Sequence, residues 1–104
     1  MVSHKCKWQK DLGQDNIWFI SNTMKTYNYI LGIQKDRYGT AFHVGLVLES
    51  FDTYDEVGGL WVKTGCKKLT DAIKFVKGFM LKYPTFDLVH KKFGKKIDKQ
   101  FDWS

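Results

Sequence analysis

Two alternating segments joined by a short polar turn constrain the fold of this chain more than any other feature. In residues 27–33 and again in residues 40–49, apolar or aromatic side chains occupy every second position, so they share one face of an extended strand. The turn between them, Asp36-Arg37-Tyr38-Gly39, begins with an acidic residue and ends with a glycine that tolerates positive φ. Two long strands with such a turn predict a β-hairpin.

A strand is predicted on each side of this hairpin. Residues 17–20, Ile-Trp-Phe-Ile, are β-branched or aromatic and have polar neighbours at both ends. Residues 50–57 have the composition of an acidic loop, and Gly58-Gly59 is expected to break the chain after it. Residues 60–63 then predict a fourth, short strand.

Two helices are predicted after the strands. Thr70 is a suitable N-cap, an apolar stripe continues to Tyr83, and Pro84 ends the helix because proline disfavours the helical conformation of the residue before it. Residues 86–93 have the spacing of a shorter second helix that stops at a glycine. This order predicts the α+β class: an antiparallel sheet of about four strands, followed by one long amphipathic helix and a short C-terminal helix.

A chain of 104 residues is expected to form a single domain, residues 1–104. We expect residues 1–15 to be a loose N-terminal segment with Trp8 as an anchor. Residues 95–104 are expected to form a C-terminal tail that docks through its apolar side chains.

The basic composition indicates a polyanionic partner. The chain has 17 basic and 11 acidic residues, a net charge of +6 and a pI near 9.3. Arg37 is the one arginine beside sixteen lysines. Lysine attracts phosphate as a point charge, whereas arginine reads guanine with a planar fork, so phosphate attraction should dominate over base reading. The lysine codons of an AT-rich genome would give the same bias.

Lysines interleaved with aromatic residues predict a nucleic-acid interface. A groove for single strands combines phosphate attraction with rings on which bases stack, and Trp18 offers such a ring on the first strand. The residues assigned to nucleic-acid binding are Lys63, Lys67, Lys68, Lys91, Lys92, Lys95 and Lys96 for phosphate, with Trp61, Tyr27, Tyr29 and Tyr38 for stacking. We expect the sheet face that the helices do not cover to be free to bind. The alternative is that the lysines are solvated and the rings belong to the core or to a dimer interface.

No catalytic, metal or cofactor signature is readable. His4, Cys6, Cys66 and His90 lack the paired spacing of zinc ligands. The acidic loop lacks the alternate oxygen ligands of a calcium loop, and Gly58-Gly59 is not followed by the lysine of a phosphate-binding loop. We therefore expect no enzymatic activity, no metal and no cofactor.

The sequence also predicts an intracellular, cytoplasmic protein. No apolar run follows the charged N-terminus as in a secretory signal, and nothing approaches the ~18 apolar residues of a membrane span. Two cysteines do not form a disulfide framework, so reduced thiols and no membrane association are expected.

The order of elements resembles the single-strand-binding transcription coactivators of the positive-cofactor-four type. In that family a glycine-led last strand runs into an amphipathic helix. Here Gly59-Leu60-Trp61-Val62, followed by Leu69-Thr70, stands in those places, and the resemblance covers residues 17–83. It implies single-strand binding and a dimer with paired helices over a curved sheet. This chain departs from the family by a longer acidic loop and about twenty further C-terminal residues, so no functional residue is carried across.

Three functional hypotheses follow. The first is a non-enzymatic module that binds single-stranded or weakly specific duplex nucleic acid, DNA or RNA. The second is a small protein-binding module, an inhibitor or adaptor that docks on a larger partner, because aromatic side chains also concentrate at protein interfaces. The third is a homodimer whose aromatic face is its interface.

Overall fold

The computed structural model describes residues 7–101 as a five-stranded antiparallel sheet with two helices on one face. The strands lie in the sheet in chain order and are β1 Gln9–Lys10, β2 Ile17–Ser21, β3 Tyr27–Lys35, β4 Phe42–Ser50 and β5 Glu56–Cys66. Helix α1 spans Leu69–Lys82 and α2 spans Phe86–Phe93, with a 3₁₀ turn at Gly94–Lys96. The predicted α+β class and order of elements are confirmed, with five strands in place of four.

The predicted hairpin is formed by β3 and β4. Their register runs without interruption from the pair Tyr27–Ser50 to the pair Lys35–Phe42. In the turn, Gly39 has a φ of +69°, as its position required. The Asp36 carboxylate accepts hydrogen bonds from the backbone N–H of Thr40 at 2.8 Å and from its hydroxyl at 2.7 Å. These bonds hold the pKa of Asp36 below its usual value.

The fifth strand is the short β1, which lies in the segment expected to be loose. Lys10 pairs with Trp18 of β2. The indole N–H of Trp8 donates to the backbone carbonyl of Tyr83 at 2.8 Å, and its ring meets the Phe79 ring edge-on at 6.2 Å. Trp8 therefore ties the start of the described chain to α1, as its role of anchor predicted.

Strand β5 is longer than predicted and passes through the two glycines expected to interrupt it. A Cβ on Gly58 would lie 2.4 Å from the carbonyl oxygen of Asp98, and one on Gly59 would lie 2.8 Å from the Phe101 ring. Gly59 also exchanges backbone hydrogen bonds with Asp98 at 2.9 Å. The glycines are therefore positions where the C-terminal segment approaches the strand closely.

The ends of the two helices were predicted more accurately than the start of α1. Helix α1 ends before Pro84 as expected, but it begins at Leu69, so Thr70 lies inside the first turn and the N-cap prediction was wrong. Lys68 holds the N-cap position without a side-chain hydrogen bond. In α2 the Thr85 hydroxyl accepts from the backbone N–H of Leu88 at 3.2 Å, a regular N-cap.

The core fills the layer between the helices and one face of the sheet. Its most deeply buried side chains are Ile20, Tyr29, Leu31, Val44, Leu46, Ala72, Val76 and Val89. They come from β2, β3 and β4 on one side and from α1 and α2 on the other. Within residues 7–101, no helix covers the opposite face of the sheet. No helix in the described part of the chain is both long and apolar enough to cross a bilayer.

Candidate functional site

The predicted phosphate-binding lysines are all exposed but form two separate groups. Lys67 and Lys68 directly precede α1, whereas Lys91 lies in α2 and Lys95 in the 3₁₀ turn after it. The 14 residues of α1 extend for about 21 Å at ~1.5 Å per residue. The 3₁₀ turn that contains Lys95 is followed two residues later by Asp98, which pairs with Gly59 near the start of β5. The two groups are thus separated along the fold, although Lys96 lines a cleft that also includes Val62, the chain neighbour of Lys63.

Tyr29, one of the predicted stacking residues, is completely buried. Its ring packs 4.8 Å from the Phe86 ring, and its hydroxyl lies 2.7 Å from Nδ1 of His90. Burial raises the pKa of this phenol to about 12. The stacking prediction for Tyr29 was wrong, because the face of the hairpin that carries it is the face that the helices cover.

The other three predicted rings do not form one surface. Tyr27 is 43% exposed at the start of β3, whereas Tyr38 is 79% exposed in the turn after that strand. Trp61 is half-buried, with its ring 5.7 Å from that of His43 and 5.0 Å from that of Phe101. Trp61 does share a cleft of about 430 Å³ with one predicted lysine, Lys96, between α1 and β5.

Positive charge is concentrated in the helical layer. Residues 67–101 contain ten lysines and three aspartates, a net charge of +7. Residues 7–66, which build the sheet, contain five lysines and Arg37 against seven acidic residues, a net charge of −1. A polyanion is therefore attracted to the helical side of the molecule.

A second set of rings and lysines, which was not predicted from the sequence, lines a groove of about 830 Å³. This groove lies at the edge formed by β1, β2 and the end of α1. We call it the tryptophan groove, and its lining residues are Lys7, Trp8, Lys10, Trp18, Lys77, Met80, Leu81, Pro84 and Thr85. The ammonium of Lys10 lies 6.0 Å from the centre of the Trp18 ring, within cation–π range. Leu81 is 83% exposed on the otherwise polar side of α1, and it lines this groove.

A groove on the open face of the sheet is acidic. Its volume is about 650 Å³, we call it the open-face groove, and it is lined by Asp11, Gln14, Ile17, Phe19, Asn28, Ile30, Gly32, Ile33, Gln34, Val47, Glu49, Phe51, Tyr54 and Glu56. Three of these residues are acidic and, among the lining residues that the structure describes, none is basic. These carboxylates repel phosphate, so the groove disfavours nucleic acid, and the expectation that the uncovered face binds it stays a prediction.

A polar row crosses one end of the open-face groove. Strand register places Ser21, Asn28, Glu49 and Glu56 side by side on β2 to β5. The Ser21 hydroxyl donates to the Asn28 side-chain carbonyl, and the Asn28 amide donates to Oε1 of Glu49 at 3.4 Å. Burial raises the pKa of Glu49; the hydrogen bond from Asn28 opposes this rise and the charge of Glu56 adds to it.

Within residues 7–101, no three His, Cys, Asp or Glu side chains are grouped so that they could hold a metal ion. Cys66 is buried with a free thiol, and His90 is engaged with Tyr29. His4 and Cys6, weighed as ligands from the sequence, lie outside the described residues.

Comparison with family models, with curated proteins and with solved structures finds no match for the chain. The resemblance to the positive-cofactor-four type thus stays a prediction.

Proposed function

We propose that the protein is a non-enzymatic module that binds single-stranded nucleic acid in the tryptophan groove. The observation that carries the proposal is the contact between Lys10 and the Trp18 ring, with Lys7 and Lys77 lining the same groove. Binding of single strands needs an ammonium for phosphate and a flat ring for a base, and these groups occur here on one surface.

The rings of the groove have different roles. Trp8 is held by its hydrogen bond to the Tyr83 carbonyl and by contact with the Phe79 ring, so it forms a fixed side of the groove. Trp18 is half-buried on β2 and pairs with Lys10. A base stacked on Trp18 gains about 1–3 kcal/mol, whatever its identity, because every base has a π-face.

The charge distribution supports a phosphate-dominated interaction. The net charge of +7 in residues 67–101 raises the local concentration of a polyanion on the helical side, next to the groove. All three basic residues of the groove, Lys7, Lys10 and Lys77, are lysines, which act on phosphate as point charges. Weak sequence specificity follows, because the planar fork that reads guanine is lacking in this set.

A titration of a labelled oligothymidylate of about ten nucleotides at several salt concentrations tests the proposal. Each neutralised phosphate of a single strand contributes about −0.7 to the slope of log K against log salt. The variant Lys10→Gln/Lys77→Gln should therefore flatten this slope by about 1.4 and weaken binding. The matched control Lys63→Gln/Lys67→Gln removes the same charge from β5 and from the residue pair before α1, and it should change the slope less.

Two results would contradict the proposal: no binding at micromolar protein in low salt, or equal losses in the two double variants. A stoichiometric protein partner recovered from nuclease-treated lysate, together with no oligonucleotide binding, would favour the inhibitor or adaptor hypothesis instead.

A further inference from the structure

The open-face groove is a hollow on the sheet that is open to solvent and bounded by a connection at each end. The β1–β2 connection brings Asp11 and Gln14 to the end of the groove near the start of β2. The β4–β5 connection brings Phe51 and Tyr54 to the other end, because β2 and β4 run in opposite directions from β3. The two connections thus limit the length of an occupant.

The floor of the groove is apolar and well packed. Phe19, Ile30 and Val47 lie side by side on β2, β3 and β4. Val47 is 1% exposed, so it lies at the bottom of the hollow. In the neighbouring row, Gly32 opposes Gly45, and two residues without side chains leave the sheet surface lower there. A volume of about 650 Å³ is within the range of about 300–1,000 Å³ usual for small-molecule sites.

The polar groups of the groove select the charge of an occupant. Glu49 is half-buried beside the apolar floor, and Glu56 is its partner on β5. Lys25 places its ammonium 5.9 Å from the centre of the Phe51 ring, but Lys25 does not line the groove. A cation that donates hydrogen bonds to both carboxylates stabilises the half-buried Glu49 beside the exposed Glu56.

We propose that the open-face groove binds a small organic ammonium compound whose apolar body lies on Phe19, Ile30 and Val47 and whose N–H groups donate to Glu49 and Glu56. The aromatic residues Phe51 and Tyr54 line the same hollow and offer ring faces to the cation. The argument is one of charge and shape: an apolar floor, carboxylates at one end, and connections that exclude a long chain. It does not depend on the tryptophan groove.

The probe is 2-phenylethylammonium, with 2-phenylethanol as the uncharged analogue and 3-phenylpropionate as the anion. Binding is measured by amide chemical-shift changes on the full chain. We expect the ammonium compound to bind about tenfold more tightly than the alcohol, and the anion to cause no shifts in the groove. The shifted amides should be those of β2, β3 and β4 around Phe19, Ile30 and Val47.

Glu49→Gln is the diagnostic variant, because glutamine keeps the shape and can still accept from Asn28. It should lower the affinity for the ammonium compound about tenfold, to that of the alcohol. The control Asp52→Asn removes an exposed carboxylate of the β4–β5 connection that does not line the groove, and it should leave the affinity unchanged.

Each of the following outcomes overturns the proposal. The alcohol binds as tightly as the ammonium compound, Glu49→Gln binds the ammonium compound as well as the parent does, or no probe binds at millimolar concentration. Tighter binding of a lysine-containing peptide than of the free amine also overturns it and assigns the groove to a protein partner. Neither Lys10 nor Trp18 is altered, so these outcomes do not bear on nucleic-acid binding.

Discussion

The hydroxyl of Tyr29 lies 2.7 Å from Nδ1 of His90 and joins β3 to α2. The phenol is fully buried while the imidazole is exposed, so the pair connects the core to the surface. A buried hydroxyl needs such a partner, since an unsatisfied one costs about 1–3 kcal/mol. The pair thus accounts for a tyrosine in a position that would otherwise favour phenylalanine.

Alkaline pH should destabilise the protein through Tyr29. Its pKa is raised from 10.0 to about 12 in the folded state, so between these values the unfolded chain loses the proton while the folded chain keeps it. The stabilising contribution is complete below pH 10 and is lost as pH rises through about 12. Between pH 10 and about 12, urea unfolding should show a smaller decrease in the free energy of unfolding for Tyr29→Phe than for the parent. Tyr27→Phe, at an exposed ring, serves as the control, and an equal pH dependence in both variants would contradict the assignment.

Glu49 should oppose folding near neutral pH. Burial raises the pKa of Glu49, so its contribution to stability is present at pH values below the pKa in the unfolded state and is lost as pH rises through the higher folded value. Glu49→Gln should therefore melt at a higher temperature than the parent at pH 7, and the two should converge in acid. The groups that face this carboxyl are Asn28 on β3 and Glu56 on β5. A variant that is less stable than the parent at pH 7 would show that the hydrogen bond from Asn28 outweighs burial.

Two glycine-to-alanine substitutions should have opposite effects on stability. In Gly58→Ala the new Cβ would lie 2.4 Å from the backbone carbonyl oxygen of Asp98, which moves only if the C-terminal segment moves. We expect a loss of about 1–3 kcal/mol in the free energy of unfolding. In Gly78→Ala, inside α1, the new Cβ has no described heavy atom within 4 Å apart from its chain neighbours and the backbone of its own helix. There we expect a gain of about 0.5–1 kcal/mol from helix propensity. Urea unfolding of both variants decides the matter, and a tolerated Gly58→Ala would mean that the C-terminal segment is not held against β5.

Trp18 should contribute more to oligonucleotide binding than Trp61. Loss of a stacked base costs about 1–3 kcal/mol, so Trp18→Leu should weaken binding about tenfold. The affinity of Trp18→Phe should lie between that of Trp18→Leu and that of the parent. Trp61 is packed between His43 and Phe101, and Trp61→Leu should lower stability while leaving the affinity unchanged. Circular dichroism confirms that each variant is folded before titration. The reverse order of effects would move the interface to the cleft beside Lys96.

Local patterns were sufficient for the hairpin, the two helix ends and the α+β class. Alternation shows which residues share a face, and a glycine or a proline marks a stop, because these effects act over a few residues. The start of α1 was predicted less well, since Thr70 was a suitable N-cap but the chain enters the helix one residue after Lys68. Here β5 ends at Cys66, two residues before the N-cap Lys68, so the end of the strand left little room before the helix.

The role of a single ring on the sheet could not be assigned from the sequence. Tyr29 lies on the more apolar face of β3, where a ring suits a stacking surface as well as a core, and only the packing of the helices decided between the two. The same holds for Gly58 and Gly59, whose meaning depends on a segment about forty residues later. Long-range packing decides such questions.

The amino-acid sequence alone therefore determined the elements, their order and the excess of positive charge, because propensity, periodicity and composition are properties of short stretches. Only the tertiary structure decided which charges and rings meet. Lys10 and Lys77 are far apart in the chain and reach one groove through the pairing of β1 with β2 and the docking of α1. It also placed Glu49 and Glu56 side by side on the open face, since strand register is fixed by the packing of the whole sheet.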